Sequence, residues 1–193
     1  MRGTSDPYTY PGSEVLRNIP GIRDAERLGA FEANVTAARL VELDASPLNG
    51  EFDAAHLRAI HRYIFQDIYP WAGEYGTVNI SKGGQFFGAA VFVGQALDAA
   101  LQELPGEGYL TGLDSRTFAS RAAFYMSEIN AIHPFRDGNG RAQREFVRQL
   151  GLGAGFALDW GAVTAVEMMA ASVESFTTGN SAALAGVIGR CLK

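Results

Sequence analysis

An all-α fold with one small β-hairpin is what this sequence predicts, on three observations. Apolar residues recur at helical spacing in seven stretches, and only one pair of short β-prone runs brackets a Gly-Gly turn. No repeat, low-complexity tract or linker divides the chain, so one helical domain is expected over residues 23–193.

Residues 1–22 hold Pro7, Pro11 and Pro20 with Gly3, Gly12 and Gly21, which predicts an extended arm, pinned to the body by Tyr8 and Tyr10. From Arg23 a first helix carries Leu28, Phe31, Val35 and Ala38 on one face, ending before Ser46-Pro47-Leu48-Asn49-Gly50. Asp53 suits the cap of a second helix with Leu57, Ile60 and Ile64 facing inward. His56 and His61 on that helix are five residues apart, on different faces. They do not make the i, i+4 pair of a zinc helix and are read as packing or surface residues.

Val78-Asn79-Ile80-Ser81 and Phe86-Phe87 flank Lys82-Gly83-Gly84-Gln85, the pattern of a hairpin. Helical period returns at Val93, Leu97, Leu101 and Leu104, closed by Pro105-Gly106. Asp114 opens the most regular stripe, Phe118, Ala122, Tyr125, Ile129 and Ile132, expected to be the central buried helix. It runs into His133, where Pro134 disfavours helical geometry. A further helix starts near Gly140, carries Phe146, Val147 and Leu150, and is expected to end at Gly151 and Gly153. Asp159 is the expected cap of the next, with Val163, Val166, Ala170 and Val173 on one side, and Asn180 that of the last, with Leu184, Val187 and Ile188.

Composition narrows the function. A hydrophobic fraction of 47% and a charged fraction of 19% over 193 residues are those of an ordinary globular protein. A net charge of −5 without a Lys/Arg cluster disfavours direct nucleic-acid binding. The lone Cys191 has no partner for a disulfide and no metal array around it. With no apolar run long enough for a membrane span and no signal-peptide core at the start, the cytoplasm is the expected compartment; a secreted effector is the option if the natural chain is longer.

Chemistry concentrates in His133-Pro134-Phe135-Arg136-Asp137-Gly138-Asn139-Gly140-Arg141-Ala142-Gln143-Arg144. Gly138-Asn139-Gly140 is too poor in helix propensity to be helical, yet good helix formers follow it, so a turn opening a helix is expected. Backbone N–H groups and the positive helix end make such a turn an anion site, which Arg141 and Arg144 would extend along one face. Asp137 stands where a carboxylate can hold Mg²⁺ against the same phosphates. His133 can take a proton from a hydroxyl near neutral pH. These parts together describe nucleotidyl or phosphoryl transfer to a hydroxyl, without the Walker A pattern.

This stretch resembles, at every defining position, the Fic family motif His-x-Phe-x-Asp/Glu-Gly-Asn-Gly-Arg-x-x-Arg. The likeness extends to Asp6-Pro7-Tyr8, Tyr10-Pro11-Gly12, Gly21-Ile22-Arg23, Trp71-Ala72-Gly73 and Gly108-Tyr109-Leu110, and is strongest with the small bacterial Fic toxins. It implies a Fic-like helical bundle with a β-hairpin flap, and transfer of AMP from ATP to a Ser, Thr or Tyr hydroxyl of a target protein. By matched position it implies His133 as general base, Asp137 as the Mg²⁺ ligand, and Gly138, Asn139 and Gly140 as the anion hole. Arg141 is then the ligand of the phosphate chain, Arg144 that of the γ-phosphate, and Phe135 the anchor of the motif in the core. Asn79, Ile80, Ser81 and Lys82 resemble the flap that aligns the target by main-chain pairing.

The Doc branch, which transfers phosphate, has Lys in place of Gly140 and lacks the second arginine, so Gly140 and Arg144 favour AMP transfer. Many Fic proteins meet an inhibitory helix, Ser/Thr-x-x-x-Glu-Gly/Asn, whose Glu pairs with that arginine. Here only Glu107 precedes Gly or Asn, and residue 103 is Glu, so a small antitoxin acting in trans on a toxin is implied. The resemblance points to type II topoisomerase subunits as targets, and less strongly to host GTPases. The alternatives are a Fic phosphotransferase or other nucleotidyl transferase, and a nucleotide-binding module without catalysis.

Overall fold

Short polar side chains set where the helices begin, by accepting hydrogen bonds from first-turn N–H groups that have no partner inside a helix. The computed structural model, which describes residues 6–78, 81–82, 85–86 and 90–193, shows this at four starts. Asp24 caps α1 (Ala25–Ala45) and Asp53 caps α2 (Ala54–Phe65). Asp114 caps α4 (Ser115–Ile132), and Thr164 caps α6 (Ala165–Thr178) in a reciprocal box with Glu167. The other helices among the described residues are α3 (Val93–Leu101), α5 (Asn139–Ala154) and α7 (Ala182–Cys191).

Around α4 the rest is assembled: α3, α5, α6 and α7 all pack against it, and α2 packs on α5. Its stripe Phe118, Ala122, Tyr125 and Ile129 is fully buried, as the spacing predicts. Burying each of the larger side chains is worth about 1.5–3 kcal/mol, so α4 is the fixed base on which the motif loop sits. On α2, Leu57, Ile60 and Ile64 are likewise fully buried. The hairpin is short among the described residues. β1 (Ser81–Lys82) pairs antiparallel with β2 (Gln85–Phe86), with Ser81 opposite Phe86 and Lys82 opposite Gln85.

Several helix boundaries differ from the sequence expectation, among them the start of α7, which follows Ser181 while Asn180 Oδ1 accepts from Ala182 N–H at 2.9 Å. α5 runs through Gly151 and Gly153 and ends at Gly155, whose φ of +90° makes the left-handed cap. Gly151 serves close packing instead: a Cβ there would stand 2.2 Å from Leu158 Cδ1. Asp159 caps only a 3₁₀ turn, Trp160–Ala162, and α6 starts later at the Thr164 cap. α6 therefore turns Met168, Ala171 and Ser175 inward, while Val166 and Val173 are 79% and 47% exposed. Its buried face is mostly small residues against α7 and α4, which a search for valine periodicity does not see.

The N-terminal arm reaches the motif loop. Asp6 pairs with Arg136 of the motif loop at 2.7 Å, and the Tyr8 hydroxyl accepts from Thr77 N–H at 3.0 Å. No helix among the described residues is long and apolar enough to cross a membrane.

Candidate active site

The loop between α4 and α5 is held by backbone geometry at both ends. His133 follows the last residue of α4 with left-handed φ and ψ of 51° and 61°, and its N–H donates to Ile129 C=O at 3.0 Å. That conformation is uncommon for a residue with a Cβ, and it turns the chain sharply out of the helix. At the other end Gly138, with φ +80°, precedes α5 and also packs against α2: a Cβ there would lie 2.3 Å from Phe65 Cζ. Only glycine meets both demands.

Between these ends the loop is pinned from inside. Phe135 is fully buried. The buried Asn139 side chain accepts from Phe135 N–H at 2.9 Å and donates to Phe135 C=O at 2.7 Å. Asn139 therefore offers an anion its backbone N–H, not its amide. It is also the first residue of α5, so the helix starts inside the Gly-Asn-Gly turn and brings the first-turn N–H groups of Asn139 and Gly140 to that point.

The two motif arginines part company. Arg141 turns toward α1, where its guanidinium pairs with Glu32 at 2.5 Å, lies 3.3 Å from Thr36 Oγ1 and stacks 4.6 Å over Phe65. Glu32 also accepts from the Tyr69 hydroxyl, whose pKa is pushed up first by burial and then by this bond. Arg144 instead lines a cleft of about 680 Å³ together with His133, Gly140 and Gln143. Met168, Met169, Val173 and Phe176 of α6 line it too, with Met126 and Asn130 of α4. No described residue forms an ion pair with Arg144. Burial, aided by the charge of Arg141, pulls its pKa below the ordinary arginine value. A half-buried cation without a counter-charge is costly, so this cleft favours an anion.

Asp137 is exposed at the mouth of the turn, with Oδ1 accepting from Gly138 N–H at 2.6 Å. No cluster of three or more metal-ligating side chains exists among the described residues. A single carboxylate beside an anion site fits magnesium that arrives with a polyphosphate, since that ion takes one or two carboxylates plus substrate oxygens. Of the expected flap residues, Ser81 and Lys82 form β1, while Asn79 and Ile80 lie outside the described residues.

Three residues of the site stand outside the motif's defining positions. Glu32 holds Arg141 from α1. Gln143 is 3% exposed and its Nε2, in the cleft wall, has no hydrogen-bond partner among the described residues. His61, read from sequence as packing or surface, is fully buried and hydrogen-bonded to the motif loop at Asp137 C=O. A signal for His61 was present: it lies four residues after Leu57 and one after Ile60, within the apolar stripe, and a polar group buried there needs partners.

Residues 51–150 match the Fic/DOC family. The chain is 41% identical over 190 residues to the protein adenylyltransferase VbhT of Bartonella schoenbuchensis, covering 98% of this chain but 40% of that protein. It is 41% identical over 187 residues to "Probable protein adenylyltransferase Fic" of Salmonella typhimurium, covering 97% and 92%. Among solved structures, the N-terminal Fic domain of a VirB-translocated Bep effector from Bartonella quintana, with bound ADP, superposes with a TM-score of 0.89 at 29% identity, covering 96% and 94%. BepC of Bartonella tribocorum with bound AMPPNP gives 0.88 at 27%, covering 96% of each chain.

Proposed function

The chain belongs to the Fic/DOC family, and from that premise we propose that it transfers AMP from ATP to a Ser, Thr or Tyr hydroxyl of a target protein. The observation that carries this reading is the cleft in which His133 meets Arg144, a cation with no counter-charge among the described residues, at the N-terminal turn of α5. Relatives named protein adenylyltransferases, and related Fic domains solved with ADP and AMPPNP, support ATP as the donor.

In the proposed reaction the His133 imidazole takes the proton of the attacking hydroxyl. A bond forms from that oxygen to the α-phosphorus while the bond to the α–β bridging oxygen breaks, and pyrophosphate leaves. The N–H groups of Asn139 and Gly140 hold phosphate oxygens and Arg144 the terminal phosphate, where charge complementarity is strongest; Arg141 takes the phosphate chain only after its guanidinium swings away from Glu32. Asp137 is the residue to hold Mg²⁺, which when bound neutralises phosphate charge. The hairpin aligns the target segment along its edge.

AMP transfer is favoured over phosphate transfer by the pairing of Gly140 with Arg144. An added Cβ at Gly140 would stand 3.3 Å from Arg144 Nη1, so a larger residue there crowds the guanidinium. Control by an antitoxin in trans, and with it a toxin role, is supported by the lack of a carboxylate on Arg144 among the described residues. Glu107, the one glutamate preceding Gly or Asn, is bound instead by Arg121 and by Tyr125 at 2.6 Å. Type II topoisomerase subunits are the first targets to examine, host GTPases the second.

Purified protein incubated with bacterial lysate and ATP labelled at the α-phosphate should label a protein without any activating mutation. Label arriving only from the γ-phosphate would instead favour the phosphotransferase alternative, and ATP binding with no labelled product the non-catalytic one.

A further inference from the structure

His61 makes contacts that packing alone does not require. Its Nδ1 accepts from Gly73 N–H at 2.9 Å, and its Nε2 stands 3.0 Å from Asp137 C=O. An N–H facing one nitrogen and a carbonyl facing the other leave one arrangement, the neutral tautomer with the proton on Nε2. The ring is fixed by stacking on Phe135 at 3.9 Å and Phe65 at 4.7 Å. An apolar residue of similar size would fill the same space and leave a buried donor and a buried acceptor unsatisfied.

The two groups it joins belong to the two halves of the proposed reaction. Asp137 C=O is on the loop that carries His133. Gly73, with φ +81°, starts the segment that continues through Gly76 toward β1. Gly76 N–H donates to Pro134 C=O at 2.9 Å, so this segment is tied to the motif loop twice: directly at 76 to 134, and through the His61 ring at 73 to 137. With two ties, the segment and the loop are fixed in register as well as in distance.

We propose that His61 is a positioning residue for the transfer step, bridging Gly73 N–H and Asp137 C=O so that the motif loop keeps its register against the segment leading into the hairpin. This rests on the transferase reading above. The bridge acts on the alignment of base and hydroxyl and not on the Arg144 side of the cleft, so it governs turnover more than ATP affinity. Misplacement of reacting groups by about 1 Å can cost ~10²-fold in rate.

Three variants separate the two bonds. His61→Gln keeps a donor near the position of Nε2, His61→Asn keeps an acceptor near that of Nδ1, and His61→Phe keeps only the stacking ring. The bond to Asp137 is the one that bears on chemistry, so His61→Gln is expected to retain AMP transfer within ~10-fold of wild type, with His61→Asn and His61→Phe falling ~10²-fold in kcat. ATP affinity by calorimetry is expected to change less than about threefold in all three. Loss that simply follows the urea stability of each variant, or that appears in ATP affinity with kcat preserved, overturns the proposal.

A second arm needs no activity. Amide hydrogen exchange of nucleotide-free His61→Phe is expected to quicken at Gly73 and across residues 135–139 while the first turns of α2 keep their protection; unchanged exchange at these sites also overturns it. Wild type that binds ATP but labels nothing counts against the transferase reading, and the exchange arm then decides the bridge by itself.

Discussion

Replacing His133 by alanine is expected to leave ATP binding in place and to lower AMP transfer by about 10²–10⁴-fold, the usual cost of removing a general base. The expectation rests on a separation of roles within the loop. The sharp exit from α4 is fixed by the His133 backbone, through its bond to Ile129 C=O, and by Pro134 after it, so alanine can follow the same path. The anion-binding groups lie elsewhere, at the first turn of α5 and on Arg144. Calorimetry with ATP and single-turnover labelling from the α-phosphate read the two roles separately. Labelling undiminished in the variant would remove His133 from the mechanism, while loss of ATP affinity together with transfer would mean that its side chain supports the nucleotide site.

Gly138→Ala should destabilise the fold by about 2–6 kcal/mol, from two costs that add. Holding a residue with a Cβ in the left-handed region costs about 1–3 kcal/mol, and forcing a methyl group into a packed ring costs a similar amount. The ring is Phe65, which has little room to retreat: it is fully buried, lies under the Arg141 guanidinium and stacks on His61. Because Phe65 touches both Arg141 and His61, any shift it makes is passed to the site, and ATP affinity should fall as well. Urea unfolding at unchanged m-value measures the first effect. A loss under about 1 kcal/mol would mean that the loop relaxes away from Phe65.

Much of the helical frame was legible from sequence because it depends on local signals. Asp53 and Asp114 cap α2 and α4 as their spacing indicates, and the stripe of α4 is buried along its length except at Ile132. Glycine and valine misled where tertiary packing overrode local preference. Gly151 reads as a helix stop but admits Leu158 against α5, and the valines of α6 face outward because small residues let that helix pack on α7 and α4. The motif announced itself by its density of chemistry, whereas its supports did not. Glu32 meets Arg141 across 109 residues and His61 meets Asp137 across 76, distances at which spacing carries no information. The same long-range contacts separate the two arginines. Helical spacing put Arg141 and Arg144 on one face, and only the Glu32 carboxylate on α1 explains why one is neutralised while the other waits in the cleft.

The intact mass of a target modified by the purified wild-type protein, with fragmentation to find the altered residue, bears most directly on the reaction assigned to this cleft. The expected result is a gain of one AMP on a serine, threonine or tyrosine, absent when His133→Ala replaces wild type. A gain of a phosphate group, or an unaltered target in the presence of bound ATP, would contradict it.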